Sequence, residues 1–146
     1  MDPHVGPSDL HIVAAQLPLQ GLRILAVDDD EPAREALKAL LESEGAIVTT
    51  TGSPVDALRL AAEWHPDVML VDLGMPIVDG FSLVESLRLL PADRGGSVPV
   101  AAVTGYTSAE DVAHARRAGF QAYLNKPVDP GELIEVIKIL AHPTAA

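Results

Sequence analysis

"RILAVDDDEP", residues Arg23 to Pro32, joins a short apolar run to three consecutive aspartates. Ile24-Leu25-Ala26-Val27 has the length and character of a strand buried on both faces. Pro32 sits where a first-turn proline is tolerated, and Asp30 is placed to cap the helix that follows. Strand therefore passes to helix within a few residues. Three adjacent carboxylates repel one another, so gathering them at the mouth of a buried strand is costly unless something offsets their charge.

The same alternation continues outward. Ala33, Ala36, Leu37, Leu40 and Leu41 make the apolar stripe of a helix that Gly45 stops. Short apolar runs recur at Ala46–Thr50, Val68–Val71, Val100–Val103 and Ala122–Leu124. Ser53-Pro54 opens a second helix that runs to about Trp64, and Leu83, Leu87 and Leu90 stripe a third. Thr107-Ser108-Ala109-Glu110 is a capping-box pattern for a fourth, ended by Gly119. Leu133, Val136, Ile137 and Leu140 stripe a fifth. Five strands alternating with five helices predict an α/β fold, a doubly wound five-stranded parallel sheet with helices on both faces. In that architecture the ligand site lies beyond the carboxyl ends of the strands.

The 146 residues fit one domain, 48% hydrophobic with a mean hydropathy of +0.22. Residues 1–20 hold three prolines and no periodicity and are expected to be a linker or disordered tail, with the folded domain over 21–141 and a short tail at 142–146. No apolar run approaches a membrane span, and the first twenty residues carry no Lys or Arg, unlike a signal peptide. A cytoplasmic location is expected. The absence of cysteine excludes disulfides, thiolate metal sites and cysteine nucleophiles. A net charge of -11 argues against direct nucleic-acid binding and for cation binding where the acids cluster. His4, His11, His65, His114 and His142 form no metal-like pair and are expected on the surface; Trp64 and Met69 are expected to pack, and Asp79-Gly80 to make a turn capping the third helix.

The strand ends carry the chemistry. The first ends in Asp28-Asp29-Asp30, the third in Asp72, the fourth in Thr104 and the fifth in Lys126. No glycine-rich dinucleotide loop follows the first strand. Hard oxygen ligands without His or Cys suit Mg²⁺ or Mn²⁺, which would make close carboxylates tolerable. A cation, a lysine and a hydroxyl together suit a phosphoryl group. Asp72, ionised at neutral pH, needs no protein base to attack a phosphoryl donor and form an aspartyl phosphate.

These parts, "AVDDDEP", "VMLVDLGMPIVDGF", "AAVTGY" and "AGFQAYLNKPV" in order, resemble the receiver domains of two-component response regulators from roughly Leu22 to Leu140. The resemblance implies a flavodoxin-like receiver fold and a phosphorelay role. It makes Asp72 the phospho-acceptor, which takes its phosphoryl group from the phosphohistidine of a histidine kinase or histidine phosphotransfer domain. Asp29 and Asp72 would ligate Mg²⁺ directly, Asp28 through water and Gly74 by its backbone carbonyl. Lys126, before a cis bond to Pro127, would pair with the phosphoryl oxygens. Thr104 and Tyr123 would be the switch pair, and Gly74 and Tyr106 would tune phosphate lifetime. The output would be a conformational shift of the face made by the fourth helix, fifth strand and fifth helix, which could also serve a homodimer. "GMP", "LLPADRGGSVPVAAVTGY" and "AGFQAYLNKPVDPGEL" look most like receivers at the C-terminal end of hybrid sensor histidine kinases. The chain carries no kinase or DNA-binding signature, so a stand-alone single-domain regulator is the alternative. Such a domain is no enzyme beyond its own phosphorylation and dephosphorylation. A phosphohydrolase would need a second carboxylate two residues after Asp72, where Gly74 stands. An unphosphorylated docking module would be expected to lack part of the acid, Thr and Lys set.

Overall fold

The computed structural model of the chain describes residues 17–75, 80–105 and 108–142. Among them are the strands β1 (Arg23–Val27), β2 (Ile47–Thr51), β3 (Val68–Val71), β4 (Val100–Thr104) and β5 (Ala122–Asn125). The helices are α1 (Glu31–Ser43), α2 (Pro54–Trp64), α3 (Gly80–Arg88), α4 (Ala109–Ala118) and α5 (Pro130–Ala141), with a 3-10 turn at Ala92–Arg94. All four strand pairings are parallel, in the order β2-β1-β3-β4-β5. The expected fold class is the observed one.

Alternation along each strand splits the core in two. Leu25, Val27, Met69, Val71, Val100 and Ala102 face α2, α3 and α4, where Ala57, Ala61, Leu83, Leu87 and Ala115 meet them. Ile24, Ala26, Val68, Leu70, Ala101 and Val103 face the other way, toward Leu41 of α1 and Leu133 and Ile137 of α5. Each Leu or Ile withdrawn fully from water stabilises the fold by about 2 kcal/mol before entropy is charged against it.

The helix ends follow from local chemistry. Asp30 accepts from the Ala33 amide at 3.0 Å and caps α1, as expected, and Gly45 turns the chain away with φ 98°. Ser53 caps α2 and Asp129 caps α5. The α4 cap sits on Ser108, whose Oγ accepts from the Asp111 amide at 3.0 Å and donates to its carboxylate at 2.7 Å. The cap residue is thus Ser108, the second residue of the predicted box; Thr107 lies outside the described residues, as does Asp79.

Three expectations are corrected. The packed body begins before Gly21: Leu19 is 0% exposed, and its amide donates to Glu44 O at 2.9 Å, so the end of the predicted linker is core. His114 is half-buried, its ring stacked on Phe81 at 3.8 Å, rather than exposed. The α1 stripe is covered only in part; Leu41 is buried, while Leu37 and Leu40 are half-buried and Ala36 is exposed. Trp64 packs as expected, beneath the Arg23 guanidinium at 4.3 Å, and Met69 is fully buried.

Candidate functional site

Strand order reverses direction between β1 and β3. From β1 the chain crosses outward to β2, and from β3 it crosses the other way to β4. The loops leaving β1 and β3 therefore splay apart and open a crevice at their carboxyl ends. Asp28 and Asp29 follow β1 and Asp72 follows β3, so the reversal places all three at its mouth. One carboxylate oxygen of each lies within 4.8 Å of the other two. Asp28 is 8% exposed, Asp72 is half-buried and Asp29 is exposed.

Lys126 enters from the end of β5. Its Nζ donates to Asp28 Oδ2 at 3.0 Å and lies 3.4 Å from Asp72 Oδ2, with 36% of its side chain exposed. Burial acts to lower the ammonium's pKa, but the Asp28 hydrogen bond and the charges of Asp72 and Asp28 outweigh it. The net shift is upward, above the ordinary value of 10.5. The bond from Lys126 to Pro127 is cis, as expected. Asp72 Oδ1 accepts from the Gly74 amide at 3.0 Å.

Two further backbone features shape the site. Gly80, the first residue of α3, donates its amide to Leu73 O at 3.3 Å. A Cβ at Gly80 would lie 2.5 Å from Asp72 O and 2.9 Å from Leu73 Cα, so the helix can abut the Asp72 backbone only through a glycine. Thr104 ends β4 at 1% exposure, and its carbonyl accepts from the Lys126 amide at 2.8 Å, joining two site residues across adjacent strands. Tyr123 is half-buried against the core beside α4, where a cleft of about 140 Å³ is lined by Val112, Ala115, Arg116 and Phe120. Tyr106 lies outside the described residues. An apolar groove of about 440 Å³, not legible in the sequence, lies beside Asp72 and Lys126, lined by Ala33, Leu37, Leu40, Val103 and Val128. The uncovered part of the α1 stripe forms one of its walls.

Three carboxylates with no imidazole or thiol are a hard oxygen donor set, which fits a divalent cation such as Mg²⁺. The model of the response regulator receiver domain family matches residues 24–138. The chain belongs to that family. The receiver is 43% identical over 130 residues to an uncharacterized 14.6 kDa protein of Leptolyngbya boryana, covering 88% of this chain and 98% of that one. It is 33% identical over 115 residues to the polar-differentiation response regulator DivK of Brucella ovis, with 79% and 92% covered. Against the Regulator of RpoS of Escherichia coli K12 it is 34% identical over 128 residues, but spans 37% of that protein. Among solved structures, the receiver domain of sensor histidine kinase PA1611 from Pseudomonas aeruginosa, with a magnesium ion coordinated in its active-site cleft, superposes with a TM-score of 0.75. It is 30% identical to this chain, covering 83% of this chain and 98% of that one.

Proposed function

We propose that this receiver takes a phosphoryl group from phosphohistidine onto Asp72 in a Mg²⁺-dependent step. The observation that carries the reading is the convergence of Asp28, Asp29 and Asp72 from two strand ends with Lys126 between them. The Asp72 carboxylate forms a new O–P bond as the P–N bond of the donor breaks. The imidazole nitrogen leaves with the electron pair and takes a proton from solvent. Asp29 and Asp72 would hold the metal directly, Asp28 through water and Gly74 by its carbonyl. When bound, the cation neutralises carboxylate charge and stabilises negative charge on the phosphoryl oxygens. Lys126 would exchange its Asp72 contact for a phosphoryl oxygen, and Thr104 would donate a hydroxyl proton to another. Manganese would satisfy the same oxygen ligands.

The apolar groove beside Asp72 gives a donor protein, a histidine kinase or phosphotransfer domain, a surface to pack on next to the acceptor. The α4-β5-α5 face around Tyr123 would carry the output or a homodimer contact, by a shift between two states. Turnover would be confined to the domain's own aspartyl phosphate, in the cytoplasm. The likeness to the PA1611 receiver favours attachment to a hybrid kinase. Matches along nearly all of DivK and the Leptolyngbya protein favour the second reading, a receiver working alone. No helix among the described residues is long and apolar enough to cross a membrane.

The test is intact mass after incubation with acetyl phosphate. The wild type should gain one phosphoryl group only with Mg²⁺ present, and Asp72→Asn none while keeping its fold. An equal adduct in Asp72→Asn would sink the assignment.

A further inference from the structure

Asp28 has four polar groups, and each is held. Its amide donates to Thr51 O at 3.1 Å; Oδ1 accepts from the Asp30 amide at 3.0 Å and Oδ2 from Lys126 Nζ at 3.0 Å. Its carbonyl accepts from Arg34 Nη1 at 2.7 Å, the shortest of the four. That carbonyl belongs to the peptide unit that links Asp28 to Asp29, and a peptide unit is planar. A donor that fixes the carbonyl direction therefore fixes the plane from which Asp29 departs. Arg34 is itself tied to the same loop, since its amide donates to Asp30 O at 3.0 Å.

The neighbouring loop leaves room for this guanidinium. A Cβ at Gly52, just past β2, would lie 2.7 Å from Arg34 Nη1 and 3.4 Å from Asp28 O. Gly52 does not adopt a left-handed backbone, and a Cβ there would meet the tip of the Arg34 side chain, so it would displace the guanidinium rather than the backbone.

We propose that Arg34, seated in the slot left by Gly52, is a positioning residue that orients the Asp28–Asp29 peptide so that both carboxylates converge with Asp72 on a divalent cation. The inference rests on the reading of the aspartate cluster as a Mg²⁺ site. It has a sign that separates it from plain electrostatics. Removing a cation beside three carboxylates should strengthen Mg²⁺ binding if charge were all that mattered. Loss of positioning weakens it.

The experiment is calorimetric titration of Mg²⁺ into the wild type, Arg34→Ala, Gly52→Ala and the double variant, with circular dichroism to confirm folding. Arg34→Ala should weaken binding about tenfold, the lower end for loss of a group that orients a ligand. Gly52→Ala keeps the charge but displaces the guanidinium, and should weaken binding in the same direction. Because both act through one contact, Gly52→Ala should change affinity by less than about twofold in the Arg34→Ala background. Arg34→Lys should restore part of the loss. Unchanged or tighter binding by Arg34→Ala overturns the proposal, as do additive effects of the two substitutions. Should Arg34→Ala fail to fold, wild-type affinity in Gly52→Ala overturns it equally. A wild type that binds no Mg²⁺ overturns the site reading itself, and the proposal with it, so the two failures are distinct.

Discussion

At the amino-terminal edge of the sheet, cations meet neutral oxygens. Arg88, at the end of α3, donates to Gly96 O at 3.0 Å, Val98 O at 2.7 Å, Gly119 O at 2.7 Å and Gln121 Oε1 at 2.9 Å. It thereby ties the approaches to β4 and β5 together. Arg23 donates to Trp64 O at 2.6 Å and lies over the same residue's ring. At the carboxyl-terminal edge, one half-exposed lysine faces carboxylates from two strands, and a third carboxylate stands beside them. At the first edge the guanidiniums are met by backbone and amide oxygens. The second gathers more negative charge than its lysine offsets. That difference separates the structural end of the sheet from the end proposed to take a ligand, although both are built from the same parallel strands.

Substitutions at the two edges should move stability in opposite directions. Arg88→Ala strips partners from several carbonyls at once and should lower the free energy of unfolding by about 3 kcal/mol, read by urea denaturation. Mg²⁺ affinity should stay within twofold or so of wild type, since additivity holds between distant sites. A large loss of Mg²⁺ binding in that variant would break the division between the edges. Asp29→Asn removes one of three crowded charges and should stabilise the metal-free protein by about 1 kcal/mol while abolishing tight Mg²⁺ binding. Destabilisation of the metal-free protein would show that the cluster is structural after all.

The smallest effect concerns pH. Lys126 has a folded-state pKa raised above its ordinary value, so its charge contributes stability fully at and below neutral pH. That contribution is lost as pH rises through the raised value, beyond 10.5. Lys126→Met should therefore narrow its stability gap to wild type as pH climbs through that window, measured by thermal denaturation without metal. A gap that is constant from pH 8 upward would show that the ammonium contributes no charge-dependent stability.

The sheet and the edge that gathers the aspartates and Lys126 are largely legible in the sequence. Val68–Val71 and Val100–Thr104 are short apolar runs with chemistry at their ends, and Asp28, Asp72, Thr104 and Lys126 announce themselves by position. What stayed hidden was held by single contacts that leave no periodic trace. Arg34 and Arg88 look like surface cations on helices; their work is to meet backbone carbonyls brought close only by the folded loops. Leu19 follows a proline in a stretch without pattern, and only the turn into β1 carries it into the core. His114 lies on a weakly apolar helix, and nothing in its neighbours foretells the Phe81 ring. The groove along α1 was missed for a related reason. A stripe of apolar residues reads as core-facing, and the sequence does not say how much of it the fold leaves uncovered.

The proposed chemistry puts the phosphoryl group on one carboxylate of the three. Borohydride reduces an aspartyl phosphate to homoserine, so reduction after acetyl phosphate treatment, followed by peptide mass spectrometry, reads the position directly. Homoserine at Asp72 alone, and only in samples that contained Mg²⁺, is the expected result. Homoserine at Asp28, Asp29 or elsewhere, or equal yield without the metal, would contradict it.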